Sequence, residues 1–283
     1  MRGRILALAL ALFASSAWAA DQPDSWTAYQ EPFRIFGTSY YVGSYGLSVI
    51  LLTSDQGHIL IDGGVEGSER RIAASINAMG FDIKDVKVIL NSHPHHDHAG
   101  SIAALQKMSG AVVKASPAAA AVLRTGVAGK DDPQYGGLPP FPAVAKVETL
   151  KDGETVHVGA LALTAHFTPG HTAGGTTWTW KSCIGAAVCY DLVYADSMTA
   201  VSAPGFKYTG APAATLAQSL DKLAALPCNM MITPHPEASE LWRRLDRRTA
   251  GEAVTLVSKP VCRRYVANAR AMLEKRLADE AGK

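Results

Sequence analysis

The 283-residue chain has no surplus of charge to work with: 27 Lys and Arg face 25 Asp and Glu, a formal net charge of +2. Without a basic stripe there is no electrostatic case for a nucleic-acid partner. Long apolar runs are missing too. The best one, Ile5 to Ala14, is shorter than the ~20 residues a membrane-spanning helix needs. It follows Arg2 and Arg4 and precedes Ala17-Trp18-Ala19, a small-x-small pattern. The expectation is therefore a secretory signal peptide over residues 1–19, export to the periplasm, and no membrane attachment after cleavage. Removing Arg2 and Arg4 takes Lys and Arg from 27 to 25 against 25 acidic residues, so the mature chain would be neutral. Cysteine is scarce as well, with four in the chain. An even number in an exported protein points to disulfides before metals, and four cysteines allow three pairings. Cys183 and Cys189 flank Ile184–Val188, a plausible hairpin connection, and Cys228 and Cys262 would tie a late strand to the last helix. That pairing is the one expected. With 48% hydrophobic and 18% charged residues, the composition is that of an ordinary globular protein.

Histidine is where the sequence is rich. Asn91-Ser92-His93-Pro94-His95-His96-Asp97-His98-Ala99-Gly100 separates Asp85–Leu90, an apolar run expected as a buried strand, from Ser101–Met108, expected as a helix. In an extended segment His93 and His95, two apart, face the same side. Asp97 and His98 fall in the turn that opens the helix and can aim at a neighbouring point. A helix N-terminus disfavours cationic side chains, so titrating groups packed there need a cation to hold them. Imidazole with carboxylate suits zinc best and iron or manganese less well. His171, within Thr168–Gly175, and His235, in Pro234-His235-Pro236, recur in the same context: a strand end followed by a Gly/Pro loop. Five histidines and one aspartate are too many ligands for one tetrahedral zinc. They suit two zinc ions, each with three protein ligands and a shared water. His58, His96, His157 and His166 are left outside the set.

The rest of the pattern predicts strands at Phe33–Val42, Leu47–Thr53, His58–Asp62, Asp85–Leu90, Ala111–Ala115, Val147–Leu150, Thr155–Val158, Leu161–Phe167, Thr176–Trp180, Leu192–Ala195 and Met230–Thr233. Helices are expected at Ser68–Met79 behind a Ser68 cap, at Ala118–Arg124, at Thr215–Leu226 and on to the C-terminus. Sheet, helices, sheet, helices in two similar halves predicts an α/β fold of two packed sheets with helices on both outer faces. No linker separates the halves, so residues 20–283 are expected to form one domain. Lys130–Val144 is a long Pro/Gly loop with Tyr135, Leu138 and Phe141 expected to be exposed. Such loops are uncommon unless functional, so it is assigned to a pocket rim.

Ile61-Asp62-Gly63-Gly64, His93-x-His95-x-Asp97-His98, Gly170-His171-Thr172 and Pro234-His235-Pro236 together resemble the metallo-β-lactamase superfamily and, within it, the third subclass of class B β-lactamases. The resemblance covers essentially the whole mature chain. It implies an αββα sandwich of two mixed sheets with two zinc ions at their shared edge. His93, His95 and His171 would hold the first, and Asp97, His98 and His235 the second. It further implies a hydrolase, expected to be monomeric, that opens the β-lactam ring of penicillins, cephalosporins and carbapenems by attack of a zinc-bound hydroxide, and so confers antibiotic resistance. Asp97 would orient that hydroxide, and Ser197 and Thr199 would meet the substrate carboxylate, although the subclass often has Ser where this chain has Thr199. Ser197 stands where the first subclass has a cysteine ligand, and no cysteine here follows a strand end in that way. Asp62 resembles the structural acidic residue behind the metal loop. The alternative within the superfamily is a glyoxalase-like thioesterase or a lactonase, which adds a bridging carboxylate. Asp196 is the candidate for it, and the sequence leaves open whether Asp196 or Ser197 faces the metals. The signal peptide and the Trp178-Thr179-Trp180 strand with its cysteine pair oppose that alternative.

Overall fold

The computed structural model describes residues 22–185, 187–249 and 256–282. The expected signal peptide lies outside the described residues. One sheet has seven strands in spatial order β1 (Phe33–Phe36), β2 (Ser39–Tyr41), β3 (Ile50–Ser54), β4 (Gly57–Ile61), β5 (Val86–Leu90), β6 (Val112–Ala115) and β7 (Val147–Thr149). It runs antiparallel as far as β4 and parallel from there on. Parallel neighbours need crossovers. These carry α1 (Glu69–Ala78), α2 (His96–Ala99), α3 (Ile102–Ser109) and α4 (Pro117–Thr125).

The other sheet is assembled from β8 (Thr155–Val158), β9 (Leu161–Phe167), β10 (Thr176–Ile184), β11 (Val188–Tyr194) and β12 (Met230–Ile232), in the order β12-β11-β10-β9-β8. Only β11 and β12 pair in parallel, and α5 (Ala211–Ala225) makes their crossover. Helices α6 (Leu241–Thr249) and α7 (Lys259–Ala281) follow.

Strand β3 explains the layering. Ile50 and Leu52 point into the core between the sheets, whereas Leu51 points into a separate cluster with α1, α3 and α4. Likewise Leu192 and Tyr194 of β11 face the other sheet, while Val193 packs with α5 and α7. Both faces of these strands are covered, which is why they read as continuous apolar runs rather than alternating ones. Two mixed sheets with helices outside each make the expected αββα sandwich. Among the described residues no helix is long and apolar enough to cross a membrane.

Several local expectations need correction. Phe33–Val42 is not one strand: Gly37, at φ 52°, sits in the left-handed region and turns the chain into the β1–β2 hairpin. Ser68 occupies the cap position of α1 but makes no side-chain cap bond. Strands β10 and β11 run on to the hairpin tip, well past the expected ends at Trp180 and Leu192, because the pairing continues through Cys183 opposite Cys189. Helix α5 starts at Ala211 rather than Thr215, with Pro212 in its first turn, where a missing N–H costs nothing. Phe141 is buried at 8% exposure, against α4 and its neighbours, rather than exposed. Leu138 is half-buried, and Tyr135 is exposed as expected.

Both expected disulfides are formed, Cys183–Cys189 within the hairpin and Cys228–Cys262 between the approach to β12 and α7. Their sequence separations, 6 and 34 residues, set their value. In the chain-entropy account the longer loop gives about 4 kcal/mol and the shorter about 2 kcal/mol. Cys228→Ala/Cys262→Ala should therefore lower the denaturant midpoint about twice as much as Cys183→Ala/Cys189→Ala. Equal shifts in urea titrations would show that loop entropy is not what these bridges supply.

Candidate metal centre

The ligand-type side chains come from strand ends. β5 hands over to Asn91–His95 and the single turn α2, which carry His93, His95, Asp97 and His98. The loop after β9 carries His171, β11 runs out into Asp196 and Ser197, and β12 into His235. Both sheets thus deliver their C-terminal ends to one edge. A buried carboxylate fixes the first loop there. Asp62, at the end of β4, accepts from Asn91 Nδ2 (3.0 Å), Ser92 N (2.7 Å), Ser92 Oγ (2.7 Å) and Tyr194 Oη (2.8 Å).

The side chains converge. Ligand atoms of His93, His95 and His171 lie within 4.8 Å of one another, and so do those of His93, Asp97 and His98. His235 Nε2 completes the second group, 3.3 Å from His98 Nε2 and 3.3 Å from Asp97 Oδ2, while His98 Nε2 is 3.0 Å from the same oxygen. Five of these six side chains are buried, but His235 keeps 38% of its side chain exposed and marks the open face. The ring of Trp26, in a short 3₁₀ turn at Asp24–Trp26, lies over that face, 5.8 Å from the rings of both His96 and His235.

Each histidine of the first group is held from behind. His93 Nδ1 is 2.8 Å from Asp196 Oδ1, His95 Nε2 is 2.9 Å from Asp132 Oδ2, and His171 Nδ1 is 2.9 Å from Thr199 Oγ1. A hydrogen on the rear nitrogen leaves a lone pair on the front one, the tautomer that a metal ligand requires. Gly175 makes the Asp196 contact possible: a Cβ there would lie 2.3 Å from Asp196 Oδ2. The electrostatics agree for His93, His171 and Asp97, whereas burial pushes the Asp196 carboxyl well above its ordinary range. Burial pulls His93 well below its ordinary pKa, and His98, His95 and His171 pull the same way. Burial, then His95, takes His171 down to about 3. Burial resists ionisation of Asp97, but His98 and His235 overcome it and hold the carboxyl well below its usual range. His93 and His171 are therefore neutral and Asp97 ionised, while at His235 burial is overcome by Asp97, which raises its pKa. Imidazoles with one carboxylate are a donor set that fits a zinc-like cation.

Asp196 sits behind His93, so its carboxylate is turned towards the rear of a histidine rather than towards the front of the cluster. Ser197, the next residue, is buried as well. The four histidines excluded from the set lie elsewhere: His58 against Phe81, His96 against Trp26, His166 bonded to Thr179 Oγ1 at 2.8 Å, and His157 exposed on β8. Sequence reasoning missed Asp132, whose Oδ2 meets His95 while its Oδ1 accepts from Gln134 N at 2.8 Å and shapes the loop. An acidic residue inside a functional-looking Pro/Gly loop was the available signal. Gln134 was missed too, and its Nε2 approaches His171 Nε2 to 3.5 Å.

Against known families, the metallo-beta-lactamase superfamily model matches residues 43–235, from the first sheet through His235. The chain belongs to the metallo-beta-lactamase superfamily. Among solved structures of that superfamily it is similar to the Rm3 metallo-beta-lactamase, with 51% identity, a TM-score of 0.88, and coverage of 91% of this chain and 97% of that one. It is also similar to MEM-A1, a subclass B3 metallo-beta-lactamase isolated from a soil metagenome library, with 47% identity, a TM-score of 0.88, and coverage of 91% and 99%. A curated relative, the hydroxyacylglutathione hydrolase of Pseudomonas paraeruginosa, is 32% identical over 144 residues, 51% of this chain and 45% of the relative. The chain thus spans about half the length of the curated relatives it matches. The resemblance to the third subclass, by contrast, extends over nine-tenths of the chain.

Proposed function

We propose that this superfamily member is a periplasmic di-zinc enzyme that opens the β-lactam ring of penicillins, cephalosporins and carbapenems, exported by residues 1–19 and working as one domain over 20–283. The observation that carries this is the rear-anchored trio of histidines beside a group built on Asp97. His93, His95 and His171 would hold one zinc ion, and Asp97, His98 and His235 the other. When bound, the ions act as Lewis acids and lower the pKa of a coordinated water from about 15.7 to about 7.

The chain's own groups supply the rest. Asp97, kept ionised between His98 and His235, accepts a hydrogen bond from the attacking water and fixes its direction towards the amide carbonyl. Thr199 Oγ1 accepts from His171 Nδ1, which leaves its own hydrogen free to donate. That hydrogen and the Ser197 hydroxyl are suited to the carboxylate that β-lactams carry beside the ring. Asp132 and Asp196 keep His95 and His93 from turning. No serine nucleophile is needed, so acylating inhibitors aimed at serine should be without effect and chelators should inhibit.

A thioesterase of the hydroxyacylglutathione hydrolase kind is the second reading, favoured by the curated relatives. Two observations weigh against it: that likeness covers 51% of this chain against 91% for the lactamase structures, and Asp196 is engaged behind His93. The test is turnover by purified, zinc-loaded protein of a carbapenem, a cephalosporin and S-lactoylglutathione, each with and without chelator. Chelator-sensitive hydrolysis of both β-lactams is expected. Cleavage of the thioester alone would replace the lactamase assignment with the second reading.

A further inference from the structure

The longest helix of the described chain, α7, is spent on one segment. Tyr265, near its start, donates from Oη to the Asp196 carbonyl at 2.7 Å and accepts from Met198 N at 3.2 Å. Near its end, Arg276 donates to Phe206 O (2.8 Å), Ser202 Oγ (2.9 Å) and Ala200 O (3.3 Å), and through Nε to Glu280 Oε1 (2.6 Å). Glu280 in turn accepts from the amides of Tyr208 (2.9 Å) and Thr209 (3.0 Å); the Tyr208 amide, then Arg276 and the Thr209 amide, hold its carboxyl down at about 2. Tyr265, Ala269, Leu273, Arg276 and Glu280 recur at four, four, three and four residues, one stripe of the helix. The apolar middle of that stripe packs with α5 and with Met198 and Tyr208.

Apart from the Arg276–Glu280 pair within the helix, these polar contacts fall on residues 196–209, the run that leaves β11 and carries Ser197 and Thr199. An irregular run has no ladder of its own to keep its carbonyls and amides in place. Here the helix supplies the partners from outside. The other end of the run returns to the centre: buried Tyr208 donates to Gly170 O at 3.3 Å, next to His171.

We propose that α7 is a template for residues 196–209, with Arg276 and Glu280 as positioning residues that preset Ser197 and Thr199 for the anionic group of the substrate. The substrate part rests on the lactamase reading above, while the template part does not. A template of this kind acts on substrate binding more than on the chemical step, because neither side chain touches the six ligand groups.

The test compares Arg276→Met, Arg276→Lys and Glu280→Gln with wild type by zinc content, amide hydrogen exchange, and KM and kcat for a cephalosporin. For Arg276→Met and Glu280→Gln, exchange in 199–209 should accelerate while β5 and β11 keep their protection. Zinc content should stay at the wild-type value. KM should rise about tenfold with kcat within about twofold, the pattern of lost uniform binding, and Arg276→Lys should recover part of the KM. Unchanged exchange in 199–209 overturns the template. Faster exchange with unchanged KM overturns the substrate role, and so does a joint fall in kcat and zinc content in all three variants, which would mark general unfolding. If wild type cleaves no β-lactam, the lactamase reading and the substrate role fall with it, while the exchange arm still decides the template.

Discussion

Asp97→Asn should lower kcat for a β-lactam by more than about 10²-fold, the scale of losing one preorganised electrostatic group. The substitution keeps the shape of the side chain and removes its charge. In the native protein one carboxylate oxygen, Oδ2, lies 3.0 Å from His98 Nε2 and 3.3 Å from His235 Nε2. An amide in that place offers a neutral oxygen and sets a nitrogen with two hydrogens among imidazoles that must keep their lone pairs free. Both the orientation of the water and the hold on the second ion weaken together. Zinc content should separate the two effects: His98→Ala and His235→Ala should each leave about one tightly held ion, and His93→Ala should strike the other site. Steady-state kinetics at saturating zinc that gave Asp97→Asn a wild-type kcat would remove Asp97 from the mechanism. A single ion in metal-replete wild type would remove the two-site reading.

The centre was legible in the sequence to the extent that its geometry is local. His93, His95, Asp97 and His98 are fixed relative to one another by six residues of chain, so a strand-loop-turn reading suffices to aim them. His171 and His235 could be added because each follows a strand end and sits among Gly and Pro. What lies behind the ligands was not legible. Asp196 reaches His93 across 103 residues and Asp132 reaches His95 across 37, and no local period encodes such a meeting. The choice between Asp196 and Ser197 was open for the same reason: a one-residue shift at the end of β11 swaps which side chain points at the histidine. The layers of the fold were readable because burial on both faces gives continuous apolar strands. Phe141 was misplaced because a Pro/Gly loop suggests exposure, while its actual environment under α4 depends on how the loop folds back. Helix α7 could be foreseen as a helix but not as a partner of 196–209, since its polar stripe reads like any solvated face until the loop opposite is known.

Asp62→Ala should cost about 3–5 kcal/mol, since each buried donor left without its acceptor costs about 1–3 kcal/mol. Four donors converge on this carboxylate, from Asn91, twice from Ser92, and from Tyr194. All of them are buried, so alanine leaves Asn91 Nδ2 and Ser92 N without this acceptor and out of reach of water, while Tyr194 Oη keeps only the Ser48 carbonyl at 3.2 Å. The phenol of Tyr194 cannot escape by ionising, because burial holds its pKa well above the ordinary value. The backbone adds to the loss. Asp62 sits at φ 66°, a left-handed conformation that Asp and Asn adopt more readily than Ala. Asn at this position keeps one acceptor oxygen and suits the backbone, so Asp62→Asn should lose clearly less than Asp62→Ala. Because Ser92 is tied to Asp62 and His93 follows directly, the alanine variant should also release zinc at a lower chelator concentration than wild type. Urea unfolding monitored by Trp fluorescence gives the first quantity, and chelator titration the second. An alanine variant that unfolds within about 1 kcal/mol of wild type, the ordinary effect of a point substitution, would mean that this network orders the metal loop without stabilising the sandwich. Release of zinc at the wild-type chelator concentration would instead break the link between Asp62 and the metal loop that Ser92 carries.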